Sequence, residues 1–310
     1  MVFRSRWRNW ATLGLLLGAP ACNSCEAGPV PGTTGSPSAV PVASVANPPA
    51  EPPAQAQPVT FASADGAALA GDLYAAPDPT APIAVLVHRK NSDRQEFAPL
   101  LKKLAAASPR YAVLSFDLRG HGASKPPAKA KPVTGVAEAE QFLEDVHAAV
   151  RHALTVRGEK ARGVVLIGSS LGAALVAKAA WSEPKVTALA LISPGAAIDG
   201  LDVYRPYAEV RNLPTFLAGA TEDTVSKEPL DALSRMAQNG TTKRYTSAMH
   251  AAGWLGDKHP ELWSELEMWL AKVYDAPVVE RRSLYYAPGK EPRAQQAGKS
   301  KGPRRLGAGP

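Results

Sequence analysis

The chain has very little cysteine. It contains two in 310 residues, Cys22 and Cys25, and both lie near the N-terminus. Everything after residue 25 therefore lacks a thiol pair for a disulfide and a thiolate set for a structural zinc site. A globular part of this length can bury a sufficient core without cross-links. The part of the chain after residue 25 therefore cannot have a fold that depends on disulfides or on cysteine-bound metal ions.

An excess of basic charge is missing from the central part of the chain. The formal net charge is +7, but residues 1–22 hold three arginines and no acid, and residues 276–310 carry a net +6. The two ends together exceed the total, so residues 23–275 carry a net charge of −2. A basic groove for nucleic acid is unsupported, and we expect no nucleic-acid partner.

The apolar run near the N-terminus is too short to span a bilayer permanently. Residues 1–22 instead combine three arginines, an apolar run at 10–17 and small residues before Cys22, which is typical of an export signal. The segment resembles a bacterial lipoprotein signal. That resemblance implies lipidation of Cys22 and a place in the bacterial cell envelope, anchored in the membrane on the outer-membrane or periplasmic side. Ala19 replaces the usual leucine, so cleavage without lipid, giving a secreted protein, is the alternative.

Two further segments lack any apolar period. Residues 23–58 are rich in proline, alanine and serine, and the part from 27 to 58 has nine prolines and one charged residue, Glu51. This composition predicts a disordered, semi-extended linker. Residues 275–310 collect glycine, proline, lysine and arginine, which predicts a disordered basic tail.

Residues 59–274 alternate between short apolar runs and amphipathic stretches. Strands are predicted at 59–61, 67–74, 83–87, 111–116, 163–167, 186–192, 214–217 and 243–247, and helices at 95–107, 136–154, 173–180 and 261–273. Strands separated by helices form parallel βαβ units whose sheet is covered on both faces. The sequence predicts an α/β fold: a doubly wound, mostly parallel sheet with helices on both faces, in a single domain.

The clearest functional signal is the run Gly168-Ser-Ser-Leu-Gly172 between a predicted strand and a predicted helix. A strand that turns into a helix within five residues forces its central residue into a strained conformation, and the flanking glycines leave room for neighbouring backbone. The side chain of Ser170 is thereby pushed out above the sheet at a helix N-terminus, near backbone N–H groups. The pattern predicts a nucleophilic serine, and an idle serine in a packing turn is the alternative.

Two later segments carry the partners that such a serine needs. Glu222 and Asp223 follow one predicted strand, and His250 follows the next. In an open parallel sheet, functional groups collect at the carboxyl ends of the strands. A neutral imidazole accepts the serine proton, and a carboxylate on its far nitrogen fixes the tautomer. These residue types predict a Ser–His–acid site in the chain order serine, acid, histidine.

That order, the G-x-S-x-G run and the segment Asp117–Ser124, which reads D-x-R-G-H-G-x-S, resemble the α/β-hydrolase superfamily over residues 59–274. The resemblance implies a triad of Ser170, Asp223 and His250. It also implies an oxyanion hole formed by the backbone N–H groups of Leu171 and Lys90. His88 and His121 are interpreted as structural.

Three positions depart from the superfamily pattern. Arg89 stands where a glycine usually follows the strand-end histidine, and Ala251 stands where a glycine often follows the catalytic histidine. The acid is commonly three residues after a glycine, which is Glu222 here, but Asp223 is followed by Thr-Val as in the superfamily. We therefore prefer Asp223 as the acid, with Glu222 as the alternative.

The segment between the strands at 186–192 and 214–217 is too short for a cap domain. The resemblance is therefore to cap-less, dienelactone-hydrolase-like and serine-esterase-like members with an open site. Arg89, Lys90 and Arg94 lie near the predicted oxyanion hole and suggest a preference for substrates that carry a carboxylate, against the alternative of a solvated loop. Tyr204 and Tyr207 are candidates for the pocket lining.

These observations predict a serine hydrolase that cleaves small to medium carboxylic esters through an acyl-enzyme. The expected partner is a small-molecule ester, and no metal or organic cofactor is implied. A peptidase or amidase of the same fold and a non-catalytic envelope protein are the alternatives.

Overall fold

This computed structural model describes residues 55–106, 111–158 and 161–275, and these residues form ten strands and seven α-helices. The strands are β1 (Ala56–Ala62), β2 (Ala68–Tyr74), β3 (Ile83–Val87), β4 (Ala112–Phe116), β5 (Val164–Ser169), β6 (Val186–Ile192), β7 (Ala197–Ile198), β8 (Leu201–Asp202), β9 (Thr215–Ala220) and β10 (Gly240–Tyr245). The helices are α1 (Ala98–Ala106), α2 (Val136–Arg157), α3 (Leu171–Ser182), α4 (Tyr204–Val210), α5 (Lys227–Met236), α6 (Ala252–Lys258) and α7 (Glu261–Asp275). A short 3₁₀ helix, Arg94–Phe97, precedes α1.

Eight of these strands form one sheet in the order β1-β2-β4-β3-β5-β6-β9-β10. β1 pairs antiparallel with β2, and β2 pairs antiparallel with β4. Every pairing from β4 to β10 is parallel. Because β4 and β5 lie on opposite sides of β3, the strand order reverses at β3, and the carboxyl ends of β3 and β5 flank the resulting crevice. The predicted doubly wound, mostly parallel sheet is confirmed.

The strands of the sheet centre are buried on both faces. In β3, Ile83, Val85 and Val87 belong to a core that includes residues of α2, α3, α4 and α5, while Ala84 and Leu86 belong to a second core with α1, α6 and α7. Alternate residues of a strand point to opposite faces, so one apolar run supplies both cores. The described residues thus form the single α/β domain that the sequence predicts.

Between β6 and β9 the chain makes only the two-residue strands β7 and β8, which pair as a small hairpin, and the short helix α4. No cap domain is present in this segment, as expected. Tyr207 of α4 is fully buried in the core, so the suggestion that it lines a pocket is wrong.

Several predicted bounds need correction. β1 begins at Ala56, three residues before the predicted domain boundary at 59, because the antiparallel pairing with β2 continues to Ala56 opposite Tyr74. β10 covers Gly240–Tyr245 rather than 243–247. The sequence did not predict α5 or α6. The signal segment 1–22 with Cys22, the linker up to residue 54 and the tail after residue 275 lie outside the described residues and stay predictions.

Within the described ranges, no helix combines the length and the apolar character that crossing a membrane requires.

The D-x-R-G-H-G-x-S segment is a turn held by its own polar side chains. The Asp117 carboxylate accepts hydrogen bonds from the backbone N–H groups of Arg94 and Ala123, each at 2.8 Å. The Ser124 hydroxyl donates to the Asp117 carbonyl at 2.6 Å and accepts from the Ala70 N–H at 2.9 Å. The motif therefore fastens the end of β4 to β2 and to the start of the 3₁₀ helix.

Arg119 of this turn forms a buried ion pair with Asp145 of α2. The Arg119 Nη2–Asp145 Oδ1 distance is 2.6 Å, and the Arg119 backbone N–H also donates to Asp145 Oδ2 at 2.9 Å. The Asp145 side chain is fully buried and that of Arg119 nearly so. Asp65 and Ser63 in the β1–β2 turn accept further hydrogen bonds from the guanidinium. This pair links the turn, the first hairpin and α2.

Candidate active site

Ser170 lies at the junction where β5 ends and α3 begins. Its backbone has φ 53° and ψ −111°, a conformation that is strained for a residue with a side chain. A Cβ added at Gly168 would lie 2.2 Å from the Gly172 carbonyl oxygen, and one added at Gly172 would lie 2.1 Å from the Val87 carbonyl oxygen. Only glycine permits these approaches, which bring the turn against the end of β3.

The three side chains predicted to act together form one hydrogen-bonded chain. Ser170 Oγ lies 2.7 Å from His250 Nε2, and His250 Nδ1 lies 2.7 Å from Asp223 Oδ2. Since a carboxylate accepts hydrogen bonds, Nδ1 carries the proton and Nε2 is left to accept from the serine hydroxyl. Asp223 is buried and Ser170 nearly so, while His250 is about a quarter exposed. The arrangement can remove a proton from the serine as it attacks a carbonyl.

The acid contacted by His250 is Asp223, and its neighbour Glu222 is exposed to solvent. Asp223 Oδ1 accepts from the Val225 backbone N–H at 3.0 Å, and the Ser226 hydroxyl donates to Oδ2. These bonds hold the carboxylate in place facing the imidazole. Sequence reasoning missed Ser226, because a serine three residues after an acid carries no signal of its own.

The two backbone N–H groups predicted for an oxyanion hole are free of acceptors within the part of the chain that the structure describes. Leu171 is the first residue of α3, where N–H groups have no partner inside the helix. Lys90 lies three residues after the end of β3, in the loop next to the turn between β5 and α3. Both are thus free to donate to a ligand, and the positive end of the α3 dipole favours negative charge at Leu171.

The three basic residues that follow β3, two in the loop and one at the start of the 3₁₀ helix, are each paired with carboxylates. Arg89 pairs with Glu96 at 3.0 Å, Lys90 with Asp199 at 2.7 Å and Glu138 at 3.0 Å, and Arg94 with Asp72 at 2.7 Å and with Asp117. The hydrogen bond to Asp199 is the main cause that raises the pKa of Lys90. The suggestion that these residues select substrates with a carboxylate is therefore not supported, since their charges are already matched.

The Lys90 side chain also joins two other elements. Asp199 lies in the turn between β7 and β8, with φ 50°, and Glu138 lies in the first turn of α2. Lys90 thereby fastens the loop after β3 to the small hairpin beside it. The Lys90 side chain thus stabilises the loop, while its backbone N–H is free to donate to a ligand.

His88 and His121 both brace the loop after β3. His88 Nδ1 lies 2.7 Å from the Arg89 carbonyl oxygen, and His88 Nε2 accepts from the Leu118 backbone N–H at 3.0 Å. His121 Nε2 accepts from the Asn91 backbone N–H at 3.1 Å. Each imidazole acts as an acceptor toward a backbone donor, which requires its neutral form. Both histidines are structural in this geometry, as the sequence indicated.

Burial lowers the pKa of His88 below its ordinary value, because the charged imidazole loses its hydration in the core. In the unfolded chain His88 takes up a proton near its ordinary pKa of about 6.5, whereas the folded protein resists protonation until a lower pH. The unfolded state therefore binds more protons below about pH 6.5, and the free energy of unfolding is expected to fall as the pH drops through that region. Urea unfolding at pH 7 and pH 5 measures this loss.

The same comparison in His88→Gln isolates the contribution, since the variant cannot protonate at this position. Its free energy of unfolding is expected to change less between pH 7 and pH 5 than that of the wild type. Burial lowers the pKa of His152 as well, so His152→Gln measures a second contribution, of the same sign, to the loss of unfolding free energy between pH 7 and pH 5. Equal pH dependence in the wild type and His88→Gln would contradict the assignment.

Two other histidines of the described chain, His147 and His152, lie on α2 and contact different partners. His147 Nδ1 lies 3.1 Å from Glu183 Oε1, and the His152 ring stacks on Phe61 with a centroid distance of 4.6 Å. Among the described residues, no group of three or more histidine, cysteine or acidic side chains is placed to hold a metal ion.

Parts of this chain are similar in sequence to a known protein family and to a known enzyme. The family Hydrolase_4, described as "Serine aminopeptidase, S33", matches residues 78–210, which is less than half of the chain and includes Ser170 but neither Asp223 nor His250. A protein phosphatase methylesterase 1 from Aspergillus oryzae is 29% identical over 176 residues, covering 53% of this chain. The matched part is 41% of that relative's length, so the chain spans less than half of it.

Solved structures resemble the fold over most of the described chain. An esterase from Pyrococcus furiosus superposes with a TM-score of 0.58 and 19% identity, covering 71% of this chain and 92% of that one. The enol-lactonase from Burkholderia xenovorans LB400 superposes with a TM-score of 0.56 and 15% identity, covering 69% of this chain and 100% of that one. These likenesses show that the chain has the α/β-hydrolase fold.

Proposed function

We propose that this protein is a serine hydrolase that cleaves small to medium carboxylic esters through an acyl-enzyme. The observation that carries the proposal is the continuous hydrogen-bonded chain from Ser170 Oγ through His250 to Asp223, with both contacts at 2.7 Å. These residues come from loops that follow three different strands, and the serine has a strained backbone. A strained serine that contacts a free imidazole nitrogen is the arrangement that nucleophilic catalysis needs.

In the proposed first step, Ser170 Oγ attacks the carbonyl carbon of the ester while His250 Nε2 takes the hydroxyl proton. Asp223 keeps the proton on Nδ1 and stabilises the imidazolium that forms. The negative charge on the carbonyl oxygen is held by the N–H groups of Leu171 and Lys90. The imidazolium then protonates the departing alkoxide, so the alcohol leaves and the acyl group remains on Ser170.

In the second step, a water molecule attacks the acyl-enzyme. His250 removes a proton from the water, and the same two N–H groups hold the second tetrahedral intermediate. Collapse of that intermediate releases the carboxylic acid and returns the proton to Ser170. Each step uses groups that the chain itself supplies.

Esters are favoured as substrates because the solved structures of similar fold include an esterase and an enol-lactonase. An amidase or peptidase activity is the second candidate, and the match to the family described as serine aminopeptidase favours it. Both candidates use the same nucleophile and differ in the leaving group, an alcohol or an amine.

A fluorophosphonate probe tests the nucleophile directly. The wild type is expected to be labelled on Ser170, and Ser170→Ala is expected to lose both the label and all measurable ester hydrolysis. Ser182→Ala, on the same helix α3, is the matched control and keeps both. Mass spectrometry of the labelled peptide identifies the modified serine. An unlabelled wild type would support a non-catalytic protein instead.

A panel of chromogenic esters and aminoacyl amides then separates the two enzymatic candidates. We expect hydrolysis of the esters and no measurable hydrolysis of the matched amides of the same acyl group. Measurable hydrolysis of the amides that is lost in Ser170→Ala would overturn the ester assignment and leave the nucleophile intact.

A further inference from the structure

Glu96 is a buried carboxylate that contacts three segments of the proposed site, the loop after β3, the end of β5 and the start of α6, without touching the triad. Its side chain is fully buried, in the 3₁₀ helix before α1. Oε2 accepts from the Arg89 backbone N–H at 2.9 Å. Oε1 accepts from the Ser169 hydroxyl at 2.8 Å and from the Gly253 backbone N–H at 3.2 Å. The Arg89 guanidinium adds an ion pair with Oε1 at 3.0 Å.

Each of these partners lies within three residues of a group that is proposed to act in catalysis. Arg89 precedes Lys90, whose N–H is proposed for the oxyanion hole, and Ser169 precedes the nucleophile Ser170. Gly253 lies three residues after His250. The Ser169 hydroxyl extends the network, since it also accepts from the Ala252 backbone N–H at 2.8 Å. One carboxylate thus fixes the distances between the loops that carry the oxyanion donor, the nucleophile and the base.

The Arg89 side chain closes this network at the surface. Its guanidinium lies 4.1 Å from the centroid of the Trp254 ring on α6, while Trp254 itself is about half exposed. Arg89 therefore bridges the loop after β3 and the helix that follows His250. A glycine at this position could make neither the ion pair with Glu96 nor the contact with Trp254.

We infer that Glu96 is a positioning residue for catalysis: it holds the Lys90 N–H and the His250 loop in register with Ser170. A carboxylate is costly to bury, and this one is fully supplied with donors and paired with one cation. Four donors converge on it from three segments that are far apart in the sequence. The inference deepens the proposed function and rests on it.

Glu96→Gln tests the inference because an amide cannot replace the carboxylate here. Glutamine has one acceptor oxygen, and its NH₂ group only donates. In one orientation the NH₂ faces the Arg89 N–H, and in the other it faces Gly253 and the Arg89 guanidinium. Either orientation releases one of the loops while the side-chain volume is kept.

We expect Glu96→Gln to lower kcat by about 10²-fold, the scale of losing one oxyanion donor, with KM nearly unchanged. Activity is normalised to the serines titrated by the fluorophosphonate, so loss of folded protein does not count. The affinity for a trifluoromethyl ketone, whose serine adduct carries an oxyanion, is expected to fall by the same factor as kcat/KM. A merely structural residue would lower the melting temperature and leave both values unchanged.

Glu265→Gln is the matched control. Glu265 accepts from Lys243 and Tyr245 at the β10 edge of the sheet, so its loss is expected to affect stability and leave kcat unchanged. Should Glu96→Gln fail to fold, Ser169→Ala tests the inference instead. We expect its kcat to fall about tenfold, because the hydroxyl's hydrogen bonds to Glu96 and to the Ala252 N–H are both lost. In the double variant the two effects are expected to be less than multiplicative.

The outcomes separate the two proposals. A wild type that is neither labelled nor active overturns the proposed function. A labelled, active wild type with kcat unchanged in both Glu96→Gln and Ser169→Ala overturns only the positioning role of Glu96.

Discussion

Replacing His250 with glutamine is expected to lower kcat for ester hydrolysis by on the order of 10⁶-fold, the scale measured for the base of other serine triads. The reason is geometric: His250 Nε2 is the acceptor 2.7 Å from Ser170 Oγ, and a glutamine oxygen is far too weak a base to take the proton. Steady-state kinetics on an activated ester measure the loss. His259→Gln, at a histidine that contacts Glu261 instead, is the control and is expected to keep the wild-type kcat.

Asp223→Asn is expected to cost less, on the order of 10⁴-fold in kcat. The asparagine amide can donate toward Nδ1, which would favour the tautomer with the proton on Nε2 and block acceptance from serine. Glu222→Gln is the matched control, since Glu222 is the exposed neighbour and is expected to be silent. If Glu222→Gln lost activity and Asp223→Asn kept it, the acid would be misassigned.

The double variant His250→Gln/Asp223→Asn is expected to be no slower than His250→Gln alone. Asp223 acts through the imidazole, so its effect disappears once the imidazole is gone. Multiplicative losses would mean that Asp223 acts independently of His250, which the 2.7 Å contact argues against.

The strands at the centre of the sheet were predictable because their burial leaves a simple pattern. β3 and β6 have the predicted bounds, since strands buried on both faces form nearly continuous apolar runs, which Thr187 alone interrupts in β6. The helix α6 was not predictable. Its sequence contains Gly253 and Gly256, which disfavour a helix, and its packing of Leu255 and its N-terminal bond to Ser169 are tertiary contacts.

The residues of the candidate site likewise include some that the sequence could predict and some that it could not. Ser170, Asp223 and His250 could be proposed because chemistry restricts their residue types and the fold places them after strands. Glu96 could not, since its role depends on Ser169, 73 positions away, and Gly253, 157 positions away. The predicted preference for substrates with a carboxylate is unsupported for the same reason. Lys90 is paired with Asp199, which lies 109 positions along the chain, so the sequence did not reveal the pair.

Asp145→Asn is expected to lower the free energy of unfolding by about 3 kcal/mol. The substitution keeps the side-chain shape but leaves the Arg119 guanidinium in the interior without its buried counter-charge. The loss is placed at the low end of the range for broken buried pairs because Asp65, which is partly exposed, still pairs with Arg119. Urea unfolding followed by circular dichroism gives the free energy.

Glu140→Gln supplies the matched control on the same helix. Glu140 is half exposed and pairs with Lys178, so removing its charge is expected to cost less than about 1 kcal/mol. Replacing both buried partners, in Arg119→Met/Asp145→Leu, is expected to give a more stable protein than Asp145→Asn, because no unpaired charge then remains in the interior. Equal losses at Asp145 and Glu140 would mean that burial does not govern the cost of breaking this pair.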